Sequence, residues 1–143
     1  MVFLKIFAGF VVVVCVLFLL LGLKSQKGAA PGLINGELAE VGAAPNMVSS
    51  ESETQPEKKV APLKGSLADI RAAIVSTGGT VTAETDSYLS ATYMTKIFKF
   101  VDDVEIRRET ETLWHIRSAS RVGYSDRGVN RKRVETIRAI LGR

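Results

Sequence analysis

The apolar positions divide the chain into three stretches. Between Ile6 and Leu23 there is no charged residue, and Phe10 to Leu21 is an unbroken run of Val, Leu and Phe with a single Cys15. Hydrocarbon about 30 Å thick needs roughly 20 apolar residues at about 1.5 Å each. Phe3–Leu23 meets that requirement, with Lys5 able to snorkel toward the headgroups. A cleaved signal peptide usually has an apolar region of only about 7–15 residues followed closely by small residues. Ala29-Ala30 offers such a site, but only beyond Lys24 and Lys27. The pattern therefore predicts a retained anchor over residues 1–24, in contact with the lipid bilayer through residues 3–23. Flanking charge is nearly balanced, with the Met1 amine and Lys5 against Lys24 and Lys27. The very short tail before the anchor favours an inside N-terminus and an exported C-terminal part.

Residues 25–63 lose the periodicity. All four prolines, Pro31, Pro45, Pro56 and Pro62, fall here, with Gly28, Gly32, Gly36, Gly42 and the polar run Ser49–Glu53. So little apolar surface cannot offset the entropy of ordering. The expectation is a flexible linker, with short ordered pieces around Leu33-Ile34 and Pro45-Asn46.

Residues 64–143 read as one small α+β domain. Ser66-Leu67-Ala68-Asp69 is a capping box ahead of a stripe of Leu67, Ile70, Ile74 and Val75, and Gly78-Gly79 stops that helix. Strands follow at Thr80–Ala83, Tyr88–Ile97, Phe100–Arg108 and Leu113–Arg121. Leu89, Ala91 and Tyr93 alternate with Ser90 and Thr92, and Val104 and Ile106 alternate with Asp103, Glu105 and Arg107. Phe98, Phe100 and Val101 break that phase, which predicts a bulge near Val101-Asp102. A tight turn at Thr110-Glu111 sets Glu105 opposite Arg117 and Arg107 opposite His115; a cross-strand pair of opposite charge, as in the first, typically contributes about 0.2–1 kcal/mol. A last helix spans Val129–Leu141, with Val134, Ile137, Ile140 and Leu141 as its buried stripe. The order predicts a small antiparallel sheet of about four strands flanked by two helices.

Composition narrows the chemistry. Lys and Arg number 19 against 15 Asp and Glu, a net charge of +4. Arg127, Arg131, Lys132, Arg133, Arg138 and Arg143 make the C-terminus basic. No aromatic platform accompanies them and an exported domain does not meet DNA, so nucleic acid is not an expected partner. A solvated helix face is the plain reading, and attraction to anionic lipid the sharper one. Cys15, the one cysteine, lies in the anchor, so the domain has no disulfide, no thiol nucleophile and no cysteine zinc site. His115 lies mid-strand with no nucleophile-elbow context, which argues against a serine triad. No cofactor is expected.

The densest polar cluster runs from Arg117 to Arg131. Arg117, Ser118, Ser120, Arg121, Tyr124, Ser125, Asp126, Asn130 and Arg131 fall within it, and Asp102 and Asp103 approach from the neighbouring strand. Two readings stand side by side. In one, the loop binds a partner protein of the envelope or a polar or anionic ligand, with arginines and helix N-terminal amides as donors. In the other it is structural, with Ser125 or Asp126 capping the last helix and Asp102 or Asp103 neutralising Arg117 or Arg121. A hydrolase or transferase using Asp102 or Asp103 with a serine or tyrosine of the loop is the enzymatic alternative.

These residues carry a resemblance. Phe100-Val101-Asp102-Asp103-Val104-Glu105, Ile116-Arg117-Ser118-Ala119-Ser120-Arg121-Val122-Gly123-Tyr124-Ser125-Asp126, Gly128-Val129-Asn130-Arg131 and Arg133-Val134-Glu135 look like the signature of the domain of unknown function 1499 family of bacteria and plastids. The likeness covers roughly Leu33 to Leu141. It implies a small anchored or exported domain, periplasmic or otherwise extracytoplasmic, and brings no activity with it. Pro45-Asn46-Met47-Val48-Ser49-Ser50 keeps the family's frame with Met47 in place of a usual cysteine, and Val41-Gly42 stand where Cys-Pro is usual. The resemblance implies that a thiol role cannot operate here. It also implies that Pro45–Ser50 docks on the domain, against the compositional reading as free linker.

Overall fold

A computed structural model describes residues 1–142. Helix α1, Val2–Gln26, is the one helix among the described residues long and apolar enough to cross a membrane, and nearly all of it stands clear of the rest of the protein. Asn35 and Gly36, both with positive φ, then turn a minimal hairpin between β1, Leu33–Ile34, and β2, Glu37–Leu38. Such a left-handed pair suits the twist of a two-residue hairpin.

The main sheet is six-stranded and antiparallel. Its members are β3 (Met47–Ser49), β4 (Leu63–Lys64), β5 (Thr80–Glu84), β6 (Tyr88–Met94), β7 (Val101–Arg108) and β8 (Leu113–Ser120). Neighbours run β3-β8-β7-β6-β5, and β4 continues the outer edge by pairing with the start of β8. The four strands read from alternation are β5 to β8. The two extra strands come from the stretch expected as linker. Composition could not reveal them, because their partner groups lie some 50–70 positions away on β8.

Glu105 pairs with Arg117 and Arg107 with His115, as the tight turn requires. The bulge expected at Val101-Asp102 is absent: the β6–β7 ladder runs unbroken from Tyr88↔Arg107 to Met94↔Val101. The irregularity falls instead between Val81 and Ala83 on β5. The phase break at Phe98–Val101 has another cause: residues 95–100 are the hairpin connection, where the strand period does not apply.

Helices α2 (Leu67–Ser76) and α3 (Val129–Leu141) cover one sheet face. Ser66 Oγ accepts the Asp69 N–H at 3.2 Å, the capping contact expected of that box. Ile70, Ile74, Val134 and Ile137 pack on Leu89, Val104, Ile106, Trp114 and Ile116, all essentially inaccessible. Burying one such side chain contributes about 1.5–3 kcal/mol.

The opposite face carries Asp103, Glu105, Arg107, His115, Arg117 and Arg121. Residues 25–40 run across it as a strap. Gly32 N–H donates to Glu105 (2.8 Å), Leu38 N–H to Glu51 (3.0 Å), and Arg121 reaches the Ser25 (3.1 Å) and Gly28 (2.5 Å) carbonyls. Glu105 is thereby fully buried and Arg117 nearly so. The stretch expected as a free linker is thus held to the sheet by backbone and side-chain bonds, Pro45–Ser50 included.

Candidate functional site

Three polar arrangements account for the loop and its neighbours. On the strap side, β7 and β8 place carboxylates opposite guanidiniums. Arg121 meets Asp103 with two bonds (2.7 and 2.8 Å), and Arg117 meets Glu105 at 3.1 Å. Tyr88 O–H also donates to Glu105 at 2.7 Å. The hydrogen bond to Asp103 holds the Arg121 guanidinium above its ordinary range, against the opposing effect of burial. Burial, with Glu105 beside it, raises the Tyr88 phenol.

Further along this face, Arg107 grips Glu51 with bonds of 2.6 and 2.7 Å and Glu109 at 2.6 Å. Burial pushes the Glu51 carboxyl up, but Arg107, the Leu38 amide and His115 outweigh it and leave the pKa lowered. Ser50 Oγ lies 3.1 Å from His115 Nδ1, and Glu51 lies 3.5 Å from the same nitrogen. A catalytic triad needs serine and carboxylate on opposite ring nitrogens. Here Glu51 shares Nδ1 with the serine, and the carboxylate on the opposite side, Glu109, stands 3.8 Å from Nε2, beyond hydrogen-bond distance, so no hydrogen-bonded triad forms.

On the helix side, a second network centres on Asn130, which is fully buried. Ser118 O–H donates to Asn130 Oδ1 at 2.6 Å, and Asn130 Nδ2 donates to Ser120 Oγ (3.0 Å) and the Asn46 carbonyl (2.9 Å). Arg133 bonds Ser118 (3.0 Å), Asn130 (2.5 Å) and Asp102 (2.7 Å), and its guanidinium lies 4.4 Å from the Tyr93 ring centroid. Asn46, Glu51, Arg107 and Arg133 are members that sequence reasoning missed. The first two sat in apparent linker, and the last read as part of a solvated helix face.

The third arrangement is a cleft of about 350 Å³ where α1 meets the domain. Phe18 and Leu21 of α1, with Phe100, Val101, Val122 and Val129, form its apolar wall. Thr95, Asp102, Ser120, Tyr124, Ser125 and Asp126 supply its polar groups. The geometry follows from a tight junction. A Cβ on Gly22 would fall 1.7 Å from the Phe98 carbonyl oxygen, so glycine alone permits this approach. Ser25 Oγ accepts the buried Val101 N–H at 3.1 Å. Phe18 stacks at centroid distances of 5.2 Å from Phe98 and 6.0 Å from Phe100.

The residues expected to bind therefore separate. Asp102, Ser120, Tyr124, Ser125 and Asp126 line the cleft. Inside the fold, Arg121 pairs with Asp103, Arg117 with Glu105 and Ser118 with Asn130. Arg131 holds the Lys59 (2.8 Å) and Glu57 (2.7 Å) carbonyls. Asp126 caps α3 by accepting from Asn130 N–H at 2.7 Å and Gly128 N–H at 3.0 Å. No cluster of His, Cys, Asp and Glu among the described residues is arranged to hold a metal ion.

With these features in view, the class is that of a small α+β domain behind one apolar N-terminal helix. The family described as "Protein of unknown function (DUF1499)" matches residues 37–141, and the chain belongs to it. No curated protein and no solved structure matches.

Proposed function

We propose that the protein is a non-catalytic module, held in the membrane by an uncleaved α1 with its domain in the extracytoplasmic space, that binds a small amphiphile in the α1–domain cleft. The carrying observation is that the anchor itself forms one wall of the cleft, through Phe18 and Leu21. A cleft built partly from a membrane helix opens where lipid-like molecules are concentrated. Its volume is at the lower end of the range for ligand pockets, about 300–1,000 Å³. That suits one short tail rather than a whole phospholipid. The polar wall carries four hydroxyls and no arginine, and its carboxylates are already engaged, Asp102 by Arg133 and Asp126 by the α3 amides, which favours a neutral, hydrogen-bonding head over an anionic one.

Retention of α1 is supported by the Ser25–Val101 bond and the Arg121 bonds to Ser25 and Gly28. Cleavage after Ala30 would remove all three and strand a buried amide. A non-catalytic reading is supported by the serines, since Ser118 and Ser120 bond to Asn130 and the histidine lies on the other sheet face.

The test is a photoreactive phenylalanine analogue in place of Tyr124, which is 76% exposed at the cleft mouth, irradiated in intact membranes. A small amphiphile adduct is the expected product. A discrete protein adduct, or none, would overturn the ligand reading, the former in favour of a partner-binding module.

A further inference from the structure

The β6–β7 connection is short and firmly shaped. Thr95 N–H donates to the Phe100 carbonyl and Phe100 N–H to Thr95 Oγ1, both at 2.9 Å. Between them Lys96, Ile97, Phe98 and Lys99 form the tip, and Lys99 holds φ +58°, a region that bulky residues seldom occupy. Ile97 is 77% exposed, one of the most exposed large apolar side chains outside α1, and the adjoining Met94 is 55% exposed. Lys96 and Lys99 flank Ile97 and are exposed. Neither enters an ion pair among the described residues. The tip thus presents one apolar side chain between two exposed lysines that make no ion pair among the described residues.

The depth of this turn follows from α1. Phe98 stacks on Phe18, and its carbonyl touches Gly22. Phe18 lies five residues before Leu23, about 7 Å along the helix axis. If the apolar run to Leu23 marks the hydrocarbon boundary, the turn beside Phe18 and Gly22 is at or just inside that boundary. Lys24 and Lys27, also exposed, follow about 1.5 and 6 Å beyond Leu23, on the headgroup side of that boundary. Apolar residues sit favourably at this depth while lysines reach back to phosphates.

We propose that Lys96–Lys99 is a second membrane contact. Ile97 enters the acyl boundary of the leaflet facing the domain, and Lys96 and Lys99, with Lys24 and Lys27, engage the phosphates of anionic phospholipid. The contact rests on α1 being a retained anchor, but not on the cleft's ligand. The attraction of lysines to an anionic surface weakens as salt is raised.

The experiment uses the full chain in vesicles of phosphatidylcholine and phosphatidylglycerol, with nitroxide labels read for collision with oxygen and with a water-soluble nickel chelate. Three labelled proteins are compared: native Cys15, and, in a Cys15→Ala background, Ile97→Cys and Asp86→Cys. Asp86 is exposed at the opposite end of β6. Nickel collision at 97 is expected to be several-fold lower than at 86 and oxygen collision higher, and the Lys96→Glu, Lys99→Glu pair should restore nickel access severalfold. Equal access at 97 and 86, with Cys15 in hydrocarbon, overturns the second contact while the anchor stands. Water access at Cys15 itself overturns the anchor. A label at 97 that neither reagent reaches means a second protein copy covers the tip, and overturns the lipid assignment. An unchanged signal in the glutamate pair overturns the role of anionic phospholipid.

Discussion

At the scale of single residues, the covered charged face makes sharp demands. Glu105 is fully buried and accepts from Arg117, Tyr88 and Gly32. Removing it strands a buried guanidinium, so Glu105→Ala should cost about 3–5 kcal/mol in denaturant unfolding. Glu105→Gln with Arg117→Met should cost clearly less than Glu105→Ala alone, because no charge is then left unpaired. Glu51 gives a pH signature. Its folded pKa lies below the ordinary 4.5. The stability it contributes is therefore complete above about pH 4.5 and is lost as pH falls through the lower folded value. Glu51→Gln should lower the unfolding midpoint near neutral pH and flatten its decline in that acid window. Equal acid slopes for the two proteins would refute the Arg107–Glu51 account. Trp114, the chain's single tryptophan and 1% exposed, is a fluorescence reporter for both experiments.

At the scale of elements, the junction between α1 and the domain depends on Gly22. Gly22→Leu should push the last helical turn off the Phe98 carbonyl without unfolding the sheet. Trypsin cleavage at Lys24 and Lys27 should accelerate severalfold while Trp114 emission stays native; unchanged cleavage would mean α1 is not docked there. The elements were largely legible in sequence where local signals suffice. Ser66-to-Asp69 capping, the Val104/Ile106 alternation and the Val134/Ile137 stripe each depend on near neighbours, and α2, β7, β8 and α3 follow from them. The strap, β3 and β4 were not legible, because their order comes from groups far along the chain: Glu105 for Gly32, β8 for Met47–Ser49, Trp114 for Leu63. Proline and glycine content measures what a segment can do alone, not what a sheet edge supplies. The same limit applied to the site. The polar loop was visible as a cluster, but which of its arginines were already paired depended on Glu105, Asp103 and Asp102 across the strand register.

At the scale of the whole molecule, a sheet is held between two different layers. Helices α2 and α3 cover its apolar face, and a strap continuous with α1 covers its charged one. Because that strap leads directly from α1, the apolar helix and the sheet form one connected unit, and the cleft at their junction belongs to both. The most direct measurement is native mass spectrometry of the full chain extracted gently from its own membranes, beside a Val122→Trp variant that fills the cleft. The account predicts a discrete small-amphiphile adduct on the intact, uncleaved chain that disappears in the variant while the fold persists. A bare protein, or the same adduct on both, would contradict it.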